Sequence, residues 1–338
     1  MRKEENMEWY VIPLFIVGLL CLIKGGDWFV DGASGIAKRF KIPQILIGAT
    51  VVSIGTTLPE VMVSATSAVQ GFGSMAYGNA IGSIICNTAL IAAITVAIKP
   101  TTAERRPLLV PSIFFFASAI FYVCIAIFLK DFARWVGIVL LITFVGYMIT
   151  TVLLMRRKDD TPEELAEIEK HGAVLPPKIK GVQLVKEIVF IIIGAALIAV
   201  GAKLMVDNAT IMAKFFGMSE ALIALTIVAL GTSLPELVTA ITALVKGHSN
   251  MSLGNIIGAN LFNLVLVSGV SITIAPFALP SEDLLLGVPV SMILDIPVAL
   301  LSMAILVVPT LFRQKLSRVQ GIGLLVIYVG YTVARFLI

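Results

Sequence analysis

The sequence predicts an all-α polytopic membrane protein with ten transmembrane helices in two inverted five-helix repeats. Of its 338 residues, 58% are hydrophobic and 14% are charged, whereas soluble domains carry about 25% charged residues. Its apolar segments are close to the roughly 20 residues that a helix needs to cross a bilayer. The ten segments are 10–31, 43–69, 74–98, 107–129, 132–155, 183–206, 219–245, 251–276, 284–312 and 316–337.

An internal repeat supports the division into two halves. A shift of 176 residues aligns 25–90 with 201–266 without a gap and gives 26 identities in 66 positions. Five spans per half is an odd number, so the second half must lie upside down relative to the first. Inverted repeats with a site at their midplane interface are typical of secondary transporters. We expect a first repeat at 1–155, a linker at 156–182 and a second repeat at 183–338.

The first span ends with two acidic residues, Asp27 and Asp31, and the sixth span ends with Lys203 and Asp207. Near a membrane interface such side chains extend towards water or pair along a helix. A gating role in the long first helix of each half is a second, less favoured interpretation. Spans 4, 5, 9 and 10 are nearly uncharged, which favours an outer scaffold. Asp295 in the ninth span has no acidic counterpart in the repeat, and we expect it to pair with a polar group.

The second and seventh spans carry the decisive motif, Gly-Thr-(Thr/Ser)-Leu-Pro-Glu, at 55–60 and 231–236. A charge at this depth costs at least ~2.5–3.5 kcal/mol, so Glu60 and Glu236 are candidate functional residues. Proline has no N–H, which leaves the carbonyl four residues earlier without its helical donor. Free carbonyls beside a carboxylate inside a membrane must face protein or a water-filled cavity. Such an oxygen-rich, anionic place suits a hard cation.

Polar residues at helical spacing extend this site. Ser53, Thr56 and Ser64 share a face with Glu60, which is typical of a lined pathway. In the third and eighth spans, Asn79 and Asn255 follow the first glycine of a Gly-xxx-Gly pattern, and we expect them to join helices. Asn87 and Asn263 lie eight residues after these two asparagines, about 12 Å further along each helix. We predict that Asn87 and Asn263 supply neutral oxygen ligands.

The basic residues predict the orientation. With the N-terminus outside, the cytoplasmic segments hold 17 Lys and Arg residues and the outer segments hold 6. The positive-inside bias therefore favours both termini outside and the 156–182 loop in the cytoplasm of a plasma (inner) membrane. The three cysteines, Cys21, Cys86 and Cys124, lie in apolar segments and are expected to pack. No feature predicts nucleic-acid binding or an obligate protein partner.

The paired motifs resemble the α-repeats of the cation/Ca²⁺ exchanger superfamily, most closely its prokaryotic sodium/calcium exchangers. The resemblance covers both halves. It implies a ten-helix fold with alternating access by two long sliding helices, and exchange of Na⁺ for Ca²⁺ as substrates, with no cofactor and no catalysis. It implies that Glu60 and Glu236 bind Ca²⁺ together with the carbonyls of Thr56 and Thr232. Around them, the motif residue Thr57 and the positions that match sodium ligands complete the set: Ser53, Ser83, Ala229 and Ser233.

Two positions depart from the family pattern, and other activities remain open. Asn263 replaces a frequent Asp, which disfavours coupling to potassium, and Ala259 replaces a Ser that can bind sodium. Since two protons would also neutralise the acid pair, exchange of Ca²⁺ for H⁺ is an alternative. An intramembrane hydrolase with an acid dyad ranks well below, because no nucleophile or metal cluster accompanies the glutamates.

Overall fold

The computed structural model describes residues 9–40, 44–157, 181–215, 231, 233–281, 284–285 and 287–337. Within these ranges the chain is helical apart from short loops and four two-residue strands. The helices follow the predicted spans in order: α1 Val11–Arg39, α2 Ile45–Val69, α3 Gly73–Ile98, α4 Arg105–Leu129, α5 Arg134–Arg157, α6 Gly181–Phe215, α7 Leu234–Val245, α8 Ser249–Ile274, α9 Ser291–Arg313 and α10 Arg318–Leu337.

Nine of these described helices are long and apolar enough to cross a membrane, and α7 is a shorter apolar helix. The predicted seventh span began at 219, but 216–230 and Thr232 lie outside the described residues. The predicted linker also lies largely outside them. The architecture confirms the predicted fold class, an all-α polytopic membrane protein.

The two longest helices, α1 and α6, pack against each other in opposite directions along a stripe of glycines. A Cβ atom on Gly25 would lie 2.8 Å from the carbonyl oxygen of Gly194, and one on Gly201 would lie 2.7 Å from that of Gly18. The 176-residue shift exchanges these two contacts. Matched helices that run antiparallel are what an inverted repeat requires, and only glycine allows backbones to approach this closely.

The interior of the molecule is formed chiefly by α2, α3 and α8, which bury most of their surface. By contrast α5 and α10 are mostly exposed, as expected of a scaffold that faces lipid. Asp295 accepts a hydrogen bond from Tyr331 at 3.0 Å and pairs with Arg335 at 3.5 Å. The expected polar pairing of this acid is therefore confirmed.

Several helices contain π-helical turns, in which one extra residue widens the helix. In the order of the chain, they are Gly48–Val52 in α2, Cys86–Ala92 in α3, Ile125–Leu129 in α4, Asn263–Val267 in α8 and Ser291–Asp295 in α9. The turns in α3 and α8 occupy matching positions of the two repeats. The pattern of apolar residues does not predict them.

Short backbone pairings join loops of the two halves. Strand β1 (Asp131–Phe132) after α4 pairs antiparallel with β2 (Phe277–Ala278) after α8. At the ends of α3 and α9, Thr102 forms a bridge with Lys315. A second small hairpin pairs β3 (Leu284–Leu285) with β4 (Val288–Pro289) before α9. The β1–β2 pair and the Thr102–Lys315 bridge thus each join two loops that the span order predicts on the same membrane side, whereas β3–β4 lies within one loop.

The charged residues near the ends of the first and sixth spans agree with the prediction in part. Lys203 and Asp207 do pair along α6, with Nζ and Oδ2 3.8 Å apart. In α1, however, Asp27 and Asp31 both bind Lys246, which lies directly after α7. Asp27 and Asp31 are 39% and 52% exposed, so they extend towards water as expected, but their cationic partner lies at the end of α7 and not on α1.

Candidate cation-binding site

The site is built around two buried carboxylates. Glu60 in α2 and Glu236 in the first turn of α7 have no exposed surface, and their carboxylates lie close enough to interact directly. No described group donates a hydrogen bond to either oxygen of Glu60 or to Oε2 of Glu236. Two adjacent anions with three of their four oxygens unsatisfied are very unfavourable in an apolar interior unless a cation balances their charge.

The prolines shape the backbone on which the acids sit. Pro59 lies inside α2, where it leaves the carbonyl of Gly55 without a helical donor. Pro235 instead lies at the start of α7, where a missing N–H costs nothing, and Glu236 follows in the first turn. The second carboxylate is therefore close to the positive end of a helix dipole, which stabilises negative charge.

Two asparagines lie at the matching π-helical turns. Asn87 and Asn263 are fully buried, and the oxygen and nitrogen of both side-chain amides have no hydrogen-bond partner among the described residues. The turn that holds Asn87 packs against α7, and the turn that holds Asn263 packs against α2. Each asparagine is thus placed next to the helix that carries the other repeat's acid. Buried polar groups are normally hydrogen-bonded, so two unsatisfied amides beside the acids make these asparagines candidates for binding a ligand.

Further polar residues hold the acid-bearing helices in place. Asn79 donates from Nδ2 to Oγ of Ser64 at 2.7 Å and to the carbonyl of Glu60 at 3.2 Å. In the second repeat, Asn255 donates to Oγ1 of Thr239 at 3.0 Å. The predicted role of Asn79 and Asn255 as links between helices agrees with these contacts. The sequence does not predict that Ser64 and Thr239 accept these hydrogen bonds, since only the packing of the helices shows which hydroxyl each side-chain amide reaches.

Asn255 also connects the repeats. Oγ of Ser53 lies 3.0 Å from its carbonyl oxygen, and Oγ1 of Thr56 lies 3.4 Å from its Oδ1. From the first motif, Thr57 Oγ1 reaches Oε1 of Glu236 at 3.5 Å. These residues of α2 therefore contact the second half of the chain directly.

The remaining candidate residues differ in what the structure says of them. Ser83 is buried in α3 one turn before Asn87, and Ser233 is buried directly before α7. Ala229 and Thr232 lie outside the described residues. No cluster of three or more His, Cys, Asp or Glu side chains that could hold a metal ion occurs within the described ranges. The groups that the described residues bring to this place are two carboxylates with amide, hydroxyl and backbone oxygens, which could hold a cation.

The family model for the sodium/calcium exchanger protein matches residues 10–153 and 186–337 of the chain. The chain belongs to this family. Its fold is also similar to that of the sodium-calcium exchanger NCX_Mj, solved after soaking with Na⁺ and Ca²⁺. The TM-score is 0.76 at 31% identity, over 96% of this chain and 97% of that one.

Curated relatives agree with this membership. The chain is 35% identical over 333 residues to the putative antiporter CaxA of Alkalimonas amylolytica, which covers 96% of the chain and 99% of the relative. It is 38% identical over 276 residues to the inner membrane protein YrbG of Escherichia coli, with 78% and 79% covered. The chain is thus an integral membrane protein of the cation/Ca²⁺ exchanger superfamily, and its architecture is the ten-helix inverted repeat.

Proposed function

We propose that this exchanger is a secondary active antiporter that couples movement of Na⁺ in one direction to movement of Ca²⁺ in the other. The observation that carries the proposal is the facing pair of buried carboxylates, Glu60 and Glu236, neither of which is fully paired within the described chain. The family match and the similarity to a sodium-calcium exchanger support the choice of ions.

The donor set fits Ca²⁺, which takes 6–8 oxygen ligands in flexible geometry. Glu60 and Glu236 offer four carboxylate oxygens, and the amides of Asn87 and Asn263 offer two more. The carbonyls of Thr56 and Thr232 are the proposed backbone ligands. Sodium ions are proposed to use the same carboxylates, with flanking ligands from the positions 53, 57, 83, 229 and 233; at Ala229 only the backbone can serve.

Charge balance explains why such a site exchanges ions. The two carboxylates carry a formal charge of −2, which one Ca²⁺ or two Na⁺ neutralise. Because the same oxygens serve both ions, their occupancy is mutually exclusive, and each ion drives the other out. A third Na⁺ would leave the loaded site with a charge of +1, so that the exchange becomes electrogenic.

We also propose the orientation and the division of the chain. The distribution of basic residues supports termini on the outside and a cytoplasmic loop at 156–182 in the plasma (inner) membrane. The repeats at 1–155 and 183–338 would then contribute one acid each to a single site. Neither repeat alone has both carboxylates, so the site requires the two together.

The proposal is tested by Ca²⁺ uptake into Na⁺-loaded proteoliposomes. Glu60→Gln keeps the size of the side chain but removes half of the formal charge, and we expect uptake to be abolished. Glu104→Gln makes the same change at an exposed residue before α4 and should leave uptake unchanged. Substantial uptake by the Glu60→Gln protein would contradict the site. Uptake by the unmodified protein that needs a pH gradient rather than a Na⁺ gradient would replace Na⁺ with H⁺ as the coupling ion.

A further inference from the structure

A second set of charged contacts lies away from the acid pair, where α1 packs against α7. A Cβ atom on Gly26 of α1 would lie 2.6 Å from Cγ1 of Val238 and 3.1 Å from Oγ1 of Thr242. These two α7 residues are four apart, so they lie on one face of the helix. The face of α7 that begins near Glu236 is therefore covered by α1.

Lys246 ends this contact. It lies one turn after Thr242, and its Nζ is 2.8 Å from Oδ1 of Asp31, 3.4 Å from Oδ1 of Asp27 and 3.1 Å from the carbonyl oxygen of Asp27. The lysine side chain is only 26% exposed. A single ammonium group thus binds three oxygens from one turn of α1 and ties that helix to the end of α7.

The matching contact in the other repeat is different. The 176-residue shift maps Val238 and Thr242 of α7, and Lys246 directly after it, onto Met62 and Thr66 of α2 and Gln70 directly after it. The first three residues are half-buried, whereas all three matching residues are exposed and Met62 is 66% exposed. The corresponding face of α2 is therefore not covered by α6 in the way that α1 covers α7.

The charged residues of α6 also lack the contact with the acid-bearing helix that those of α1 make. Lys203 and Asp207, which match Asp27 and Asp31, pair with each other at 3.8 Å along α6, and their side chains are 79% and 58% exposed. Gln70 has no charge with which to bind them. One end of the molecule therefore has an ion-pair clamp between a long helix and an acid-bearing helix, and the sequence provides no equivalent clamp at the other end.

Because the repeat is inverted, the covered end of α7 and the uncovered end of α2 lie on opposite sides of the membrane. Since matched helices run in opposite directions, the ends of α2 and α7 point to opposite membrane faces. Interchanging the two repeat conformations describes a second state, in which α6 covers α2 and α1 leaves α7. Movement of one element against another around a fixed midplane site is how such repeats alternate access. The ion pairs of Lys246 must break for α1 to leave.

We propose that Lys246, bound to Asp27 and Asp31, is a latch that holds the site closed on the Lys246 side of the membrane, and that Gln70 leaves the opposite side without one. The inference rests on the proposed alternating transport but not on which ion is coupled. By the distribution of basic residues, the latched side is the cytoplasmic one. Removing the latch shifts the population towards the state in which α6 covers α2.

The test measures how fast single cysteines react with a water-soluble maleimide in lipid nanodiscs, where the reagent reaches both faces. Thr242→Cys reports on the α1–α7 contact, and Thr66→Cys reports on its counterpart; Cys21, Cys86 and Cys124 are replaced by alanine in both. We expect Lys246→Gln to raise the labelling rate at 242 and to lower the rate at 66. A change in labelling rate of about two- to fivefold corresponds to the loss of a partly exposed ion pair.

Two further variants serve as controls. Lys203→Gln removes an exposed lysine of α6 and should leave both rates unchanged, while Lys246→Arg keeps the charge and should behave as the unmodified residue. The latch is wrong if Lys246→Gln leaves both rates unchanged, or if both rise together, which indicates general loosening. Because labelling needs no transported ion, opposite shifts would support the latch even if Na⁺ coupling failed, and unchanged rates in an active Na⁺/Ca²⁺ exchanger would refute only the latch.

Discussion

Glu60 and Glu236 occupy equivalent positions in the two repeats but do not have equivalent neighbours. Thr57 reaches across to Glu236, whereas its counterpart Ser233 lies beside Cys86. The proposed role of the acids follows from the sequence, because a charge costs too much in an apolar span to recur in both repeats without a function. Their neighbours were not predictable, since a hydroxyl in a membrane helix can bond to its own backbone equally well.

The amide at 263 provides a prediction at this scale. Asn263→Ala removes one neutral oxygen from the proposed site, and a contact to a charged group is worth about 1.5–3 kcal/mol. The Ca²⁺ concentration for half-maximal uptake should therefore rise by roughly tenfold to a hundredfold. Asn263→Asp keeps the oxygen and should retain Ca²⁺ binding. Measurement of uptake against Ca²⁺ concentration for both variants tests whether Asn263 binds the ion. An unchanged half-maximal concentration in Asn263→Ala would show that it does not.

At the scale of elements, the apolar segments predicted the helices well but not their internal irregularities. The π-helical turns Cys86–Ala92 and Asn263–Val267 arise where a backbone N–H donates to the carbonyl five residues earlier instead of four. The spacing of apolar residues does not predict where this happens. The same limit applies to Lys246, whose contact with α1 results from the way two distant helices cross. Glycines were visible in the sequence, but their function as the α1–α6 contact emerged only from packing.

The glycine contact leads to a prediction for Gly25. A methyl group there would lie 2.8–2.9 Å from backbone and side-chain atoms of α6, so Gly25→Ala must push the helices apart. Overpacking of this kind costs typically about 1–3 kcal/mol. We expect a lower unfolding temperature and slower exchange, measured by thermal unfolding in detergent and by Ca²⁺ uptake.

Gly330→Ala is the matched control for this change. A Cβ atom at Gly330 in α10 meets nothing within 4 Å, and alanine is the better helix former. This variant should be as stable as the unmodified protein or slightly more so. Equal behaviour of the two variants would show that the close approach of α1 and α6 is not needed.

For the molecule as a whole, the fold class followed from two features of the sequence, the apolar segments and the gapless 176-residue repeat. The inversion followed from the odd number of spans per half and agrees with the antiparallel α1 and α6. The repeat alignment shows Gln70 opposite Lys246, but the unequal covering of α7 and α2 could not be predicted, because it depends on the conformation in which the repeats are found. The similarity of the two repeats does not indicate which of them is in which conformation, whereas the structure shows one such arrangement.

The charge of the site gives a prediction at this scale. If three Na⁺ exchange for one Ca²⁺, each cycle moves one net positive charge, and a potential of 100 mV contributes about 2.3 kcal/mol per charge. A potential that is positive inside Na⁺-loaded proteoliposomes should therefore speed Ca²⁺ uptake, because it drives Na⁺ out. Uptake that does not respond to an imposed potassium diffusion potential would indicate electroneutral exchange of two Na⁺ for one Ca²⁺.

The backbone pairings between loops bear on which parts of the molecule can move. The β1–β2 pair joins the loop after α4 to the loop after α8, and the bridge between Thr102 and Lys315 joins the ends of α3 and α9. Backbone hydrogen bonds thus join the two repeats at both predicted membrane sides, in addition to the peptide linker that connects them in sequence. Within the described residues α1 and α6 take part in none of these pairings, so we expect them to be the helices that move if the protein alternates access as proposed.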